Sequence, residues 1–170
     1  ASDVYKRQPF LTGGSMITRV GLQDAEYMPA PIKFEAGTQR VSQAVAFAAA
    51  VRYLQHLGME NVEAWEHELG ARLVEGVQKI EGVRLLGPAD PSKRAGLVAL
   101  AIEGVHPHDV GQLLDTQGIA VRVGHHCAQP LHRCAGVTAS TRASTYIYNT
   151  TEDVDAFLKA LAEVRPYFGF

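Results

Sequence analysis

Cysteine is scarce: two residues, Cys127 and Cys134, in a chain of 170. A small secreted domain stapled by disulfides carries a denser set, so that class is excluded, although a single bridge between these two remains open. No apolar run is long enough to span a bilayer. No apolar h-region of a signal peptide is visible near Ala1. The expectation is a cytoplasmic protein with reduced thiols. Neither sign of charge dominates: Lys and Arg number 16, Asp and Glu 18, and the net charge is −2. Electrostatics therefore favour neither nucleic acid nor a membrane as partner. There is no internal repeat, no low-complexity segment and no paired C-x-x-C knuckle of the kind that holds zinc.

What is present is ordinary globular composition, 46% hydrophobic and 20% charged. The length suffices for one domain with a real core or for parts of two. Histidine is in mild excess, with five of the seven between His106 and His132.

Ala1 to Gln8, ASDVYKRQ, shares no pattern with the rest of the chain. It has no periodicity and no Met start, and it reads as adapter read-through. Residues 1–8 are expected to be a non-native leader, with the natural chain continuing upstream. Pro9 to Gln39 is rich in Gly and Pro and reads as loop. Val41 to Leu57 reads as a helix ended by Gly58, with an Ala-rich face. A second helix, Ala64 to Ile80, is expected behind an Asn61 cap, with Trp65, Leu69, Leu73, Val77 and Ile80 on one face. Val83 to Leu86 is a short strand before a Gly87-Pro88 turn. Leu97 to Ile102 reads as a buried strand because its apolar run is nearly continuous. Pro107 to Thr116 is a helix with Pro at its first position and Gly118 beyond its end. Ile119 to Val123 and Thr141 to Tyr148 read as strands. Thr151 to Val164 reads as a helix whose capping box, taken from Thr151, is incomplete. The order predicts an α+β layer from Gly58 onward: helices covering a small, mostly antiparallel sheet.

The densest chemistry is Arg122-Val123-Gly124-His125-His126-Cys127-Ala128-Gln129-Pro130. Gly124 opens a turn and Pro130 closes it, which places Cys127 on a loop or a frayed helix start. An exposed thiol beside positive charge meets the physical requirement for a nucleophile. The alternative is that Cys127 is a small buried hydrophobe. A different class of reading is a zinc module built from His125, His126, Cys127, His132 and Cys134, although adjacent residues rarely ligate one ion without strain.

The string RVGHHCAQP, with TRASTYIYNTTEDVDAFLKAL after it, GGSMI at Gly13 to Ile17 and FEAGT at Phe34 to Thr38, resembles the end of SufS-type cysteine desulfurases and the related selenocysteine lyases. These are pyridoxal-phosphate (PLP) enzymes of the class V aminotransferase type. The resemblance runs from about Pro9 to the C-terminus. It implies an α/β fold of type I for the whole protein, with residues 9–57 as the remnant of the large PLP-binding domain. Residues 58–170 would be the small C-terminal domain carrying the cysteine loop.

By resemblance Cys127 is the nucleophile that takes sulfur from L-cysteine, leaving L-alanine and an enzyme persulfide for iron–sulfur cluster assembly. Arg142 would hold the substrate carboxylate in a bidentate fork, with Arg122 adding positive field. His125 and His126 are candidates to tune the thiol. Thr38, beside Gly37 and before a helix start, would contact the PLP phosphate of the partner subunit in a homodimer. The persulfide implies a sulfur-acceptor protein of the Suf system, and the cysteine loop would then double as a docking surface. The family's PLP-binding Lys, its ring-stacking His and its pyridine-pairing Asp lie upstream of GGSMI. None of Lys6, Lys33, Lys79, Lys93 and Lys159 stands in the family's Lys context. The chain alone is therefore expected to be inactive, and no metal is expected.

Overall fold

The computed structural model describes residues 6–170; Ala1 to Tyr5 of the expected leader lie outside the described residues. The chain divides into two compact units between His56 and Leu57.

In the first unit the stretch expected to be loop contains an antiparallel hairpin, β1 (Ile17–Val20) paired with β2 (Ala25–Tyr27). Arg19 holds it closed, donating to Asp24 at 2.8 Å and Glu26 at 3.0 Å. The hairpin is polar and exposed, so it leaves no apolar alternation to read. The Gly13-Gly14 pair runs against Gly37, whose N–H donates to the Gly14 carbonyl at 3.0 Å. Helix α1 (Val41–Leu57) comes next, with no buried residue. Val41, Val45, Phe47 and Tyr53 are all more than half exposed along it.

The second unit carries the core. Gly58, at φ +86°, separates α1 from α2 (Met59–Gln78). This corrects the expected start at Ala64 and the expected role of Asn61. One residue between two helices leaves no room for a capping loop. Asn61 instead lies in the first turn of α2 and donates its amide back to the Leu57 carbonyl at 2.8 Å.

The sheet has four strands in the order β3 (Val83–Leu86), β4 (Leu97–Ile102), β6 (Ser140–Ser144), β5 (Arg122–Gly124), and every pairing is antiparallel. The apolar run of β4 conceals an alternation. Val98, Leu100 and Ile102 are buried, while Ala99 and Ala101 are only half buried. The strand therefore has one packed face and one face of small residues. The packed face meets Leu69, Leu73, Val74 and Val77 of α2. It also meets Val110 and Leu114 of α3 (Pro107–Thr116), and Val154, Phe157 and Leu161 of α5 (Thr151–Ala162). Each such side chain removed from water contributes about 1.5–3 kcal/mol. Trp65 adds a tie, donating its indole N–H to the Asn149 carbonyl at 3.1 Å. Arg72 grips Asp155 through two bonds of 2.7 and 2.6 Å, joining α2 to α5 at the surface.

Other element ends also differ from expectation. Strand β5 begins at Arg122 rather than Ile119. Strand β6 runs from Ser140 and stops at Ser144, because Tyr146 to Asn149 forms a turn in which the Tyr146 N–H donates to the Asn149 side chain at 2.9 Å. The capping box of α5 is complete rather than incomplete, one residue earlier than expected. Thr150 is the N-cap, its hydroxyl accepts from the Asp153 N–H, and the Asp153 carboxylate accepts from the Thr150 N–H. A last short helix, α6 (Val164–Tyr167), comes after the end of α5 at Ala162.

Candidate active site on the open sheet face

The face of the sheet turned away from α2 and α5 carries the polar residues. In the β5–β6 register Arg122 stands directly opposite Arg142, and Gly124 opposite Ser140; in the β4–β6 register Ala99 stands opposite Arg142. Cross-strand partners share a face. Two arginines twenty residues apart in the chain are thus set side by side on one face. Like charges placed directly opposite destabilise a sheet. Arg122 is exposed, Arg142 is half buried, and the Arg142 Nε is buried with no hydrogen-bond partner. A carboxylate is the chemistry that would satisfy both groups.

The chain leaves β5 at Gly124, whose φ of +115° only glycine adopts without strain. His126 and Cys127 then take left-handed conformations themselves, at φ 52° and 60°. The turn is closed by the Ala128 N–H donating to the His125 carbonyl at 2.8 Å. Pro130 does not close this turn as expected. It sits in the first turn of a short helix, α4 (Gln129–Cys134), where its missing N–H costs nothing. Cys127 is exposed and unbridged at the crest of the turn, so the buried-hydrophobe reading does not hold. Cys134, at the far end of α4, is also exposed and free.

Helix α4 packs on the open face. Arg84 of β3 donates to the Ala135 carbonyl just beyond it at 2.6 Å. His132, the buried residue of α4, holds the Ala128 carbonyl through Nδ1 at 3.0 Å and meets Ser140 Oγ through Nε2 at 2.9 Å. His126 reaches the same Ser140 oxygen through Nε2 at 3.1 Å. The rings of His125 and His126 lie 5.9 and 5.7 Å from that of His132. Burial holds His126 below the ordinary imidazole range. Arg142, His132 and Arg122 push the same way, against an opposing interaction with Ser140. The ring is therefore neutral near pH 7, and its Nδ1 is buried without a partner. A cavity of about 250 Å³ lies between α4 and the sheet, lined by Ala99, Leu131, His126, His132, Ser140 and Arg142 among others.

The structure thus brings Arg122, Arg142, His125, His126 and Cys127 to one end of the open face. Ser140 and the anchoring part of His132 are functional candidates that the sequence reading misses. Period-two spacing from Arg142 along β6 is the available signal for Ser140. In the first unit Thr38 is exposed, one residue after Gly37. The Gly37 N–H is already committed to Gly14, whereas the Thr38 side chain is exposed. Among the described residues no group of three or more His, Cys, Asp and Glu side chains is placed to hold a metal ion, so the zinc reading finds no ligand set. Among those residues, too, no helix is long and apolar enough to cross a membrane.

Nearly the whole chain is similar to known proteins. The chain is 51% identical over 161 residues to a probable cysteine desulfurase 2 of Mycobacterium leprae, covering 95% of this chain and 38% of that protein. It is 48% identical over 164 residues to a probable cysteine desulfurase of Halalkalibacterium halodurans, covering 96% and 40%. The chain thus spans about two-fifths of the length of these curated relatives. Among solved structures it resembles the S-sulfonic acid form of the cysteine desulfurase CsdA from Escherichia coli, at TM-score 0.87 and 34% identity over 96% of this chain and 40% of that one. The apo cysteine desulfurase of Thermococcus onnurineus NA1 superposes at TM-score 0.84 with 40% identity, over 92% and 39%. The family model described as aminotransferase class-V matches residues 3–157, and with nearly the whole sequence inside that match the chain belongs to the class V aminotransferase family.

Proposed function

We propose that this chain is part of a PLP-dependent cysteine desulfurase of the SufS type, with L-cysteine as substrate and L-alanine as product. The observation that carries the reading is the juxtaposition on one sheet face of an exposed thiol turn and two directly opposed arginines. A small amino acid offers both complements, a carboxylate for the arginines and a sulfur for Cys127. Its carboxylate would lie against Arg142 in a planar fork, and Arg122 would complete the charge balance. Cys127 would receive the sulfur and carry it as a persulfide on an exposed crest, open to a thiol of a sulfur-acceptor protein.

Within this chain the residue suited to the cofactor is Thr38, whose exposed hydroxyl stands shortly before the first turn of α1. A phosphate there gains a neutral donor and the partial positive charge of a helix start. PLP, when bound, withdraws electrons from the substrate so that its sulfur can be taken by a nucleophile. The remaining anchors, including the lysine, belong to the complete protein. We further assign the complete protein to a cytoplasmic homodimer that serves iron–sulfur cluster assembly with a Suf-type acceptor. The apolar side chains exposed around α1, among them Val41, Val45, Phe47 and Tyr53, support a surface covered elsewhere in that assembly. A selenocysteine lyase would use the same residues, and a comparison of the two amino acids as substrates separates them.

The decisive test replaces Cys127 by Ala in the complete protein. PLP absorbance should be retained while persulfide formation and alanine release from cysteine stop. Full activity in that variant would end the assignment. Cys134→Ala should retain activity.

A further inference from the structure

We propose that Ser140 and His132 are positioning residues, a latch that holds the His126–Cys127 turn in its left-handed conformation and so fixes where the thiol stands. The turn is strained. Two consecutive non-glycine residues at φ 52° and 60° occupy a region that L-residues avoid, and such conformations persist only where the surroundings impose them. Within the turn the Ala128 N–H to His125 carbonyl bond is, among the described residues, the only backbone closure, and the exposed Cys127 side chain adds nothing to it. Its neighbours supply two further ties. The His126 ring is tied to Ser140, which is fully buried on β6, and the Ala128 carbonyl is tied to the buried His132 of α4. The two ties meet at one atom, the Ser140 oxygen.

Valence decides the donors along this series of bonds. A carbonyl only accepts, so His132 Nδ1 carries the proton toward Ala128. In the neutral ring His132 Nε2 is then an acceptor, and the Ser140 hydroxyl donates to it. That hydroxyl has one proton, so toward His126 it can only accept, and His126 Nε2 donates. His126 Nδ1 is left as a bare lone pair, which agrees with its burial without a partner. One serine thereby fixes both tautomers and spans helix, strand and turn. An apolar residue at position 140 would release both rings at once.

The latch rests on the reading of Cys127 as the working thiol only for its purpose. Its test needs no sulfur chemistry, so it can fail while the persulfide assignment stands, and the reverse. In this chain, labelled with nitrogen-15, imidazole correlation spectra should show His132 in the Nδ1–H form and His126 in the Nε2–H form. Ser140→Ala should convert both to tautomer mixtures. It should also raise hydrogen exchange at the Ala128 amide about fivefold or more, the loss of one hydrogen bond. The amides of Val98 to Ile102 in the central strand should keep their protection. Ser140→Thr, which retains the hydroxyl, should restore the tautomers. Should Ser140→Ala weaken the central strand equally, His126→Leu decides, because it removes the same tie from the half-buried side: selective loss at Ala128 supports the latch. An Nε2–H form of His132 in the unaltered chain would overturn the proposal. So would full protection of Ala128 in both variants, or loss at Ala128 only in step with the central strand in both.

Discussion

Replacing Arg142 by Met should stabilise the ligand-free chain while disabling the complete protein. Arg142 stands opposite Arg122 across the β5–β6 ladder. A like-charged pair in that position costs about 0.2–1 kcal/mol. Its buried, unpartnered Nε is a second cost, about 1–3 kcal/mol for a lost partner, taken at the low end because the side chain is half buried. Methionine keeps an unbranched stem against Ala99 and Leu131 in the cavity wall and removes both penalties. The net gain is about 1–2 kcal/mol, which for a chain of this size raises Tm by roughly 2–8 °C. Differential scanning calorimetry of the two chains reads this directly. In the complete protein the milder Arg142→Lys keeps the charge and loses the fork. A bidentate charge-assisted contact is worth about 1.5–3 kcal/mol, so kcat/KM for cysteine should fall about one to two decades. A lower Tm for Arg142→Met would show that the guanidinium is already held by a stabilising partner, and the two arginines would then not be an unsatisfied anion site. An unchanged kcat/KM for Arg142→Lys would show that another residue holds the carboxylate.

Thr150→Ala removes one half of the capping box on α5 and should cost about 1 kcal/mol in urea unfolding, and a change within error would show that Asp153 alone suffices. Stability should also depend on pH through His126. Its folded-state value is depressed, so as pH falls the unfolded chain binds that proton first. The contribution is whole above the unfolded value of about 6.5 and is lost as pH drops through it toward the folded one. Urea midpoints should therefore fall more between pH 7 and pH 5 in the unaltered chain than in His126→Gln. Equal slopes would place the titration elsewhere.

Local chemistry makes much of this fold legible. Val41–Leu57, Val83–Leu86, Leu97–Ile102 and Pro107–Thr116 take the bounds read from Gly58, Gly87-Pro88, the apolar run and Pro107. The hairpin at Ile17–Val20 is not legible, because Thr18, Arg19 and Glu26 pair through polar groups and bury little. The end of β6 misleads for the opposite reason: Tyr146, Ile147 and Tyr148 continue a strand-like pattern. Asn149 nonetheless turns the chain by bonding the Tyr146 N–H. At the site, Cys127 announces itself by its neighbours in sequence, whereas Ser140 and the Arg122–Arg142 pairing do not. Those depend on register. A slip of one residue in β6 would turn Arg142 toward the packed face and bring Thr141 out. What prevents it is the inner face, where Thr141 and Ala143 are buried beside Leu100 and Val98, positions that would not accept a guanidinium. The small residues of β6 therefore fix the arginines indirectly. A pairing between residues so far apart in the chain becomes visible only once the core has chosen which side of the strand is in.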